Sequence, residues 1–334
     1  MRQLRSGLLL PTALLFICLT VFAARGLTIK LGSLAPSGSP WDTGLKKIAA
    51  EWKKISNGKV TVKIYPGGIA GDESDMIRKM RIGQLDAAGL TGVGLCRIYP
   101  PILALQAPLT VRNDDELNHA LDKMKPSFEK GLADKGFTIV AWNFVGWVHF
   151  FGKKPIAGPN DLRKQKLFIW SGDPDGVQRW KEMGFHPVPL ASTDLMTSLQ
   201  SGMVEAFSAT PLSAASYQWF GLAPNMSDLK WAPLIGGIVI SNKSMQRIPQ
   251  SLRLPLLQAG SRISSGFQDD IVQADQKAID IMKEHGLKII HVSEEGVAKW
   301  REVVDKGIAD SFDKSIDKDT YETIQRHLKA FRTE

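Results

Sequence analysis

The residues able to do chemistry are few and poorly grouped. His119, His149, His186, His285, His291 and His327 show no His-x3-His or comparable ligand spacing, and Cys96 is the one thiol after residue 25. A zinc site or a cysteine nucleophile therefore has no framework. Gly89, Gly92 and Gly94 resemble a phosphate loop only superficially, because the fingerprint spacing and the acid beyond it are missing. Asp72, Glu73 and Asp75 open an amphipathic run, where they read as charges favoured by the helix macrodipole rather than as an acid/base pair. What is left is recognition chemistry. In the strand-like segment from Lys166 to Trp170, period-two geometry puts Lys166, Phe168 and Trp170 on one face and Leu167 and Ile169 on the other. The even face is broad, aromatic and edged by one cation. Aromatics at strand spacing are more often core, so the pattern alone favours packing for Phe168 and Trp170.

The elements that must position such a face alternate. Leu27 to Leu34 reads as a strand and ends in the turn-rich run Ala35-Pro-Ser-Gly-Ser-Pro40. A helix follows, capped by Ser39 or Asp42, with Leu45, Ile48, Ala49, Trp52 and Ile55 at helical spacing. Val60, Val62 and Ile64 make a strand, a capped helix covers about Asp72 to Ile82, and Leu85 to Thr91 is strand-like again. This is the order of an α/β sheet. A helix near Asp114 to Leu132 precedes the strand Phe137 to Asn143. From Gly146 to Pro233 a second set appears, with strands around Lys166–Trp170 and in Val204–Ala209 and helices over about Pro174–Met183 and through Leu195 and Leu199. The strand Gly236–Ser241, a long helical pattern from Pro249 to Glu284, the strand Leu287–Val292 and two amphipathic helices complete the chain.

The first two dozen residues read as a secretory signal, with Arg2 and Arg5 before an apolar run to Phe22 and small residues for cleavage at Val21-Phe22-Ala23. Residues 1–24 are thus expected to be a leader, with lipid tethering at Cys18 a weaker option because Ile17 is bulky. About 310 residues then remain, comfortable for two domains rather than one core. A lone Cys96 allows no internal disulfide. The 42 basic and 34 acidic residues leave a net charge of +8, but without a run of five like charges, so the excess belongs to solvated faces and not to a nucleic-acid groove.

Several segments, taken in order, resemble the extracytoplasmic solute receptors of tripartite ATP-independent periplasmic (TRAP) transporters, the DctP-type family. Ile29 to Trp41 is similar to the opening strand and loop, and Asn57 to Leu90 carries the Gly-rich turn, acidic helix start and Arg-x-Gly-x-x-Asp of Arg81, Gly83 and Asp86. Thr193 to Pro211 is similar to the helix-Gly-strand element, with Gly202 and Glu205 in place, and Gln268 to Ile289 to the spanning helix and last crossover. The resemblance implies a two-lobed α/β periplasmic-binding-protein fold, a Venus flytrap with hinge strands and a long connecting helix. Lobe I would comprise residues 27–145 plus 234–272, and lobe II residues 146–233 plus 273–334. It further implies a periplasmic, non-catalytic receptor without cofactor that delivers solute to membrane subunits, in one branch beside a tetratricopeptide-repeat protein. An enzyme on such a scaffold would need an acid or histidine that the sequence does not nominate.

Within Ala157 to Asp173 the resemblance departs from its family. Leu162 and Lys166 fall on the Leu-x-Gly-x-Lys-x-Arg pattern, Lys164 replaces the glycine, and Phe168 stands where the family places an arginine that pairs two-pronged with a substrate carboxylate. After Trp142 and Gly146, where a second basic residue often follows, come Trp147 and Val148. An enclosed carboxylate there would lose its hydration unpaired, at a cost of several kcal/mol. The ligand expected instead is hydrophobic or amphipathic and of medium size. Micromolar affinity takes about 8 kcal/mol, which at about 25 cal/mol per Å² asks for at least about 320 Å² of apolar cover. Position in the family pattern adds Trp41, Thr91, Gly92, Trp142, Trp147, Ser208, Ala209, Thr210 and Trp219 to Phe168 and Trp170 as ligand-binding candidates, with Trp231 beside Trp219 over the mouth. The alternative keeps an organic anion and lets Lys166 or His149 supply the charge.

Overall fold

A computed structural model describes residues 26–171, 174–312 and 316–333. The leader expected over residues 1–24 lies outside the described residues, as do Gly172 and Asp173. The chain opens β1 (Leu27–Ser33), α1 (Pro40–Ile55), β2 (Val60–Tyr65), α2 (Glu73–Arg81), β3 (Ala87–Thr91) and α3 (Gly92–Ile98). β1 runs parallel to both β2 and β3, Ile29 opposite Val62 and Leu31 opposite Ala87. Ser39 caps α1 through the Asp42 amide, and the stripe Leu45, Ile48 and Trp52 is buried against β1 and the later helix Gln250–Ser265. The indole of Trp52 donates to the Leu256 carbonyl at 2.9 Å, which fixes α1 on that helix.

After a 3-10 segment (Pro100–Gln106) come α4 (Asp114–Asp134) and β4 (Phe137–Gly152), then α5 (Pro159–Leu162), β5 (Lys166–Trp170), α6 (Pro174–Glu182), β6 (His186–Leu190), α7 (Leu195–Ser201), β7 (Ala206–Ala209), α8 (Pro211–Ser216) and β8 (Asn225–Ser227). β9 (Ala232–Ser241), α9 (Asn242–Arg247), α10 (Gln250–Ser265), α11 (Gln268–Glu284), β10 (Lys288–Ile290), α12 (Glu294–Ala309) and α13 (Lys318–Phe331) follow. The strand order β2-β1-β3-β9-β4-β7-β5-β6 places a sheet in each lobe, and β4 belongs to both. Its residues from Phe137 to Val148 pair antiparallel with β9, while His149 to Gly152 pair with β7. The lobe boundaries expected after Val145 and Pro233 therefore fall inside two continuous strands. The strand expected over Phe137–Asn143 is longer because Gly146 bends it rather than ending it, at a register shift between Phe144 and Gly146. At φ +129°, Gly146 leaves no room for a side chain: a Cβ would lie 2.5 Å from Asp275 Oδ2.

Two expectations change. The helical pattern from Pro249 to Glu284 forms two helices, α10 and α11, because Gly266 and Phe267 form a turn between them. The C-terminal helices also divide. Trp300 of α12 stacks on Phe150 at 5.3 Å, inside the second lobe, whereas α13 packs on α4 and the 3-10 segment. Arg332, just past α13, holds the buried Glu116 with both prongs at 2.8 and 2.7 Å and donates to the Thr110 carbonyl. That pairing draws residues 318–333 onto the first lobe, so the expected assignment of everything after residue 273 to the second does not follow the packing.

Candidate functional site

A cavity of about 740 Å³ opens between the lobes, within the range of small-molecule sites. From the first lobe, Trp41 and Gly44 of α1, Thr91 at the end of β3 and Phe144 of β4 reach it. From the second come Phe168 and Trp170 of β5, Ser208 and Ala209 of β7, Thr210 at the start of α8, and Trp219. Phe267, in the turn between α10 and α11, supplies a further wall. An inner end is lined by Leu103, Trp180, Met183, Trp231 and Ile308.

β5 keeps the alternation read from its sequence. Leu167 and Ile169 pack into one core, Phe168 and Trp170 into another with Phe151, Leu199, Phe207 and Trp219. Phe168 meets Trp170 edge-on at 6.5 Å and is 6% exposed. It is core on one side and cavity wall on the other.

Eight of the twelve candidates line the cavity, and Gly92, Trp142, Trp147 and His149 do not. Gly92 is buried against the Gln106 amide, which leaves no space for a Cβ. The Trp142 indole donates to Glu129 at 3.0 Å on the outside of β4. That of Trp147 donates to Asp114 at 2.7 Å, with Lys230 over its ring. His149 is buried with Nδ1 2.9 Å from the Ser227 carbonyl oxygen, and burial pushes it down to about 4, so it is a neutral core group rather than a cation for an anion. Lys166 is also outside the lining; its ammonium donates to the Gly202 carbonyl. The bend of β4 presents Asn143, Phe144, Val145 and Val148 to the cavity in place of the two tryptophans. Trp231 stands at the inner end in a cluster with Phe150 and Trp300, at 4.9 and 5.0 Å, not with Trp219.

Glu73 corrects the reading of three helix-start acids. Asp72 is the cap of α2 and Asp75 pairs with Arg78 at 3.0 Å, but Glu73 turns inward to the cavity wall. Its carboxyl accepts from the Thr91 amide at 2.5 Å and the Thr91 hydroxyl at 3.0 Å. Burial, reinforced by Asp72, pushes it up to about 7 against those donors. Tyr217 and Arg179 also line the cavity and were not anticipated. Tyr217 stacks on Trp219 at 4.5 Å and its hydroxyl donates to the Leu34 carbonyl across the cleft. Asp72 likewise accepts from the Ser192 hydroxyl at 3.0 Å and amide at 3.3 Å, so both lobes are tied at the cavity rim.

Two lobes joined by continuous strands, with a cavity between them, define a binding protein of the periplasmic class. The sequence pattern of the DctP family, bacterial extracellular solute-binding protein family 7, matches residues 31–315, and the chain belongs to that family. A solute-binding protein of Roseobacter denitrificans is 25% identical over 201 residues, 60% of this chain and 61% of the relative, which is less than two thirds of its length. Among solved structures, a TRAP periplasmic solute-binding protein of Xanthobacter autotrophicus with bound β-D-galacturonate superposes with a TM-score of 0.83 at 18% identity, covering 90% of this chain and 99% of that one. The sugar acid-binding protein DctPAm of Advenella mimigardefordensis, in complex with galactonate, gives 0.85 at 20% identity over 91% and 98%. Among the described residues no helix is long and apolar enough to cross a membrane, and no group of three histidine, cysteine or acidic residues could hold a metal ion.

Proposed function

We propose that this chain is a periplasmic TRAP receptor that closes its lobes on a hydrophobic or amphipathic small molecule and delivers it to the transporter's membrane subunits, directly or through a tetratricopeptide-repeat adaptor. The observation that carries the reading is the wall at β5, where Phe168, at the position where the resemblance expects a carboxylate-gripping arginine, lines the cavity beside Trp170. The cavity's walls are chiefly aromatic and aliphatic, and a ligand covered there by about 320 Å² of apolar surface gains the roughly 8 kcal/mol that micromolar affinity requires. Neither Lys166 nor His149 reaches the cavity to restore an anion site.

A second reading keeps an organic acid, on the observation that Arg179 of α6 lines the same cavity. The galacturonate and galactonate held by the two structural neighbours are carboxylates of that kind. Calorimetric titration of the purified protein with medium-chain amphiphiles and with galacturonate separates the two. Micromolar binding of an amphiphile with none of galacturonate supports the apolar reading. Tight galacturonate binding that is lost in Arg179→Ala overturns it.

A further inference from the structure

Among the described residues the cavity wall holds one acid, Glu73, and one base, Arg179. Glu73 is 4% exposed, and its two carboxyl oxygens accept from the Thr91 amide and the Thr91 hydroxyl, with the Gly94 amide nearby also favouring its charged form. A carboxylate offers about four acceptor positions, so these two bonds leave acceptor capacity on a group that faces the cavity. The charges around it do not compensate it. Asp72 precedes it in the chain, Tyr217 faces it from the second lobe, and Asp75, Arg78, Lys79 and Arg81 continue α2. Of the strands and helix packed on α2, β3 and β9 carry no titratable residue, and α3 carries Cys96 and, in its last turn, Arg97. No cation figures among the groups that act on the Glu73 carboxyl, and it is pushed up to about 7.

We infer that Glu73 selects the head group of the ligand: the receptor takes an amphiphile whose polar end donates hydrogen bonds, an ammonium before a hydroxyl, and disfavours the same chain ending in a carboxylate. The inference rests on the apolar reading of the cavity. An ammonium or hydroxyl fills the remaining acceptor capacity, and an ammonium also supplies the missing positive charge. A ligand carboxylate beside Glu73 forces one of the two acids to hold a proton. Arg179, already engaged, is the group that would reverse this preference.

The test compares dodecylammonium, dodecanol and dodecanoate, each kept monomeric, by titration calorimetry at pH 7.5. Dodecylammonium should bind about tenfold or more tighter than dodecanoate. Glu73→Gln should erase that ratio while moving dodecanol by no more than about threefold. Should the variant fail to fold, the wild-type protein still decides. Dodecylammonium binding near pH 6.5 should release a proton from Glu73, read as a binding heat that changes with the ionisation enthalpy of the buffer. Dodecanoate binding as tightly as dodecylammonium, or dodecylammonium binding without proton release, overturns the inference. If none of the three binds and galacturonate does, the apolar reading beneath it is what fails.

Discussion

On the proposed function, Phe168 is where a single residue separates a carboxylate clamp from an apolar slot. Its ring packs with Phe207 and Leu199 on one side and closes the cavity on the other. Phe168→Arg should therefore weaken an apolar ligand by about tenfold or more, the loss of one aromatic contact plus the cost of a guanidinium that must find a partner. Titration of the variant with the best wild-type ligand checks this, and unchanged affinity would make Phe168 a packing residue alone. Glu73 gives a second test at this scale. Its carboxyl titrates near 4.5 when unfolded and near 7 when folded, so the native state holds the extra proton between those values. Stability therefore falls as pH rises from about 4.5 to 7, by about 3 kcal/mol from this group. Asp275, also pushed up to about 7 by burial, acts in the same direction. His149, pushed down to about 4, acts oppositely, adding stability as pH rises from 4 to 6.5. Glu73→Gln removes one of the two falling contributions, so its melting temperature at pH 8 relative to pH 5 should rise against the wild type. An identical pH profile would show that Glu73 is ionised in the fold.

The elements were largely legible because their signals are local. Apolar stripes and caps marked α1 and α2, and period two marked β5, whose alternate side chains pack into two cores although Ile169 reaches the cavity as well. What stayed hidden depends on contacts distant in sequence. All three acids at the start of α2 suit a helix N-terminus, and only packing against Thr91 turns Glu73 inward. Arg332 meets Glu116 across 216 positions, so nothing near either residue announces that α13 crosses to the first lobe. The same limit applies to β4: Trp142 and Trp147 stand on either side of Gly146, yet the bend there presents Phe144 to the cavity instead. That bend is testable. Gly146→Ala places a Cβ 2.5 Å from Asp275 Oδ2 at a φ of +129°, whereas Gly136→Ala, at φ +90°, meets nothing within 4 Å. Both suffer backbone strain of about 1–2 kcal/mol. Gly146→Ala should cost clearly more, by about 1–3 kcal/mol in urea unfolding. Equal losses would mean that β4 shifts freely at the crossover.

At the scale of the whole molecule, the closed arrangement is tied at the rim by groups that do not belong to any ligand. Ser192 donates to Asp72, and Tyr217 donates to the Leu34 carbonyl, each joining one lobe to the other. Ser192→Ala removes the first side-chain bond while keeping Asp72 as the cap of α2, and Tyr217→Phe removes the second while keeping its stack on Trp219. Each bond contributes about 1 kcal/mol to closure. A receptor that binds only when closed has an apparent affinity lowered by the fraction of time it spends open. The double variant should therefore bind the same ligand about fifteenfold more weakly if the wild type is closed half of the time before binding, approaching the limit of about thirtyfold the more open the wild type is. Small-angle scattering of the ligand-free proteins reads that population directly. The double variant should have the larger radius of gyration, and saturating ligand should return both proteins to the same compact value. Equal scattering and equal affinity would mean that the strands β4 and β9 and the turn at Gly266 hold the lobes together without the rim bonds, and that the ligand has only to fill the cavity.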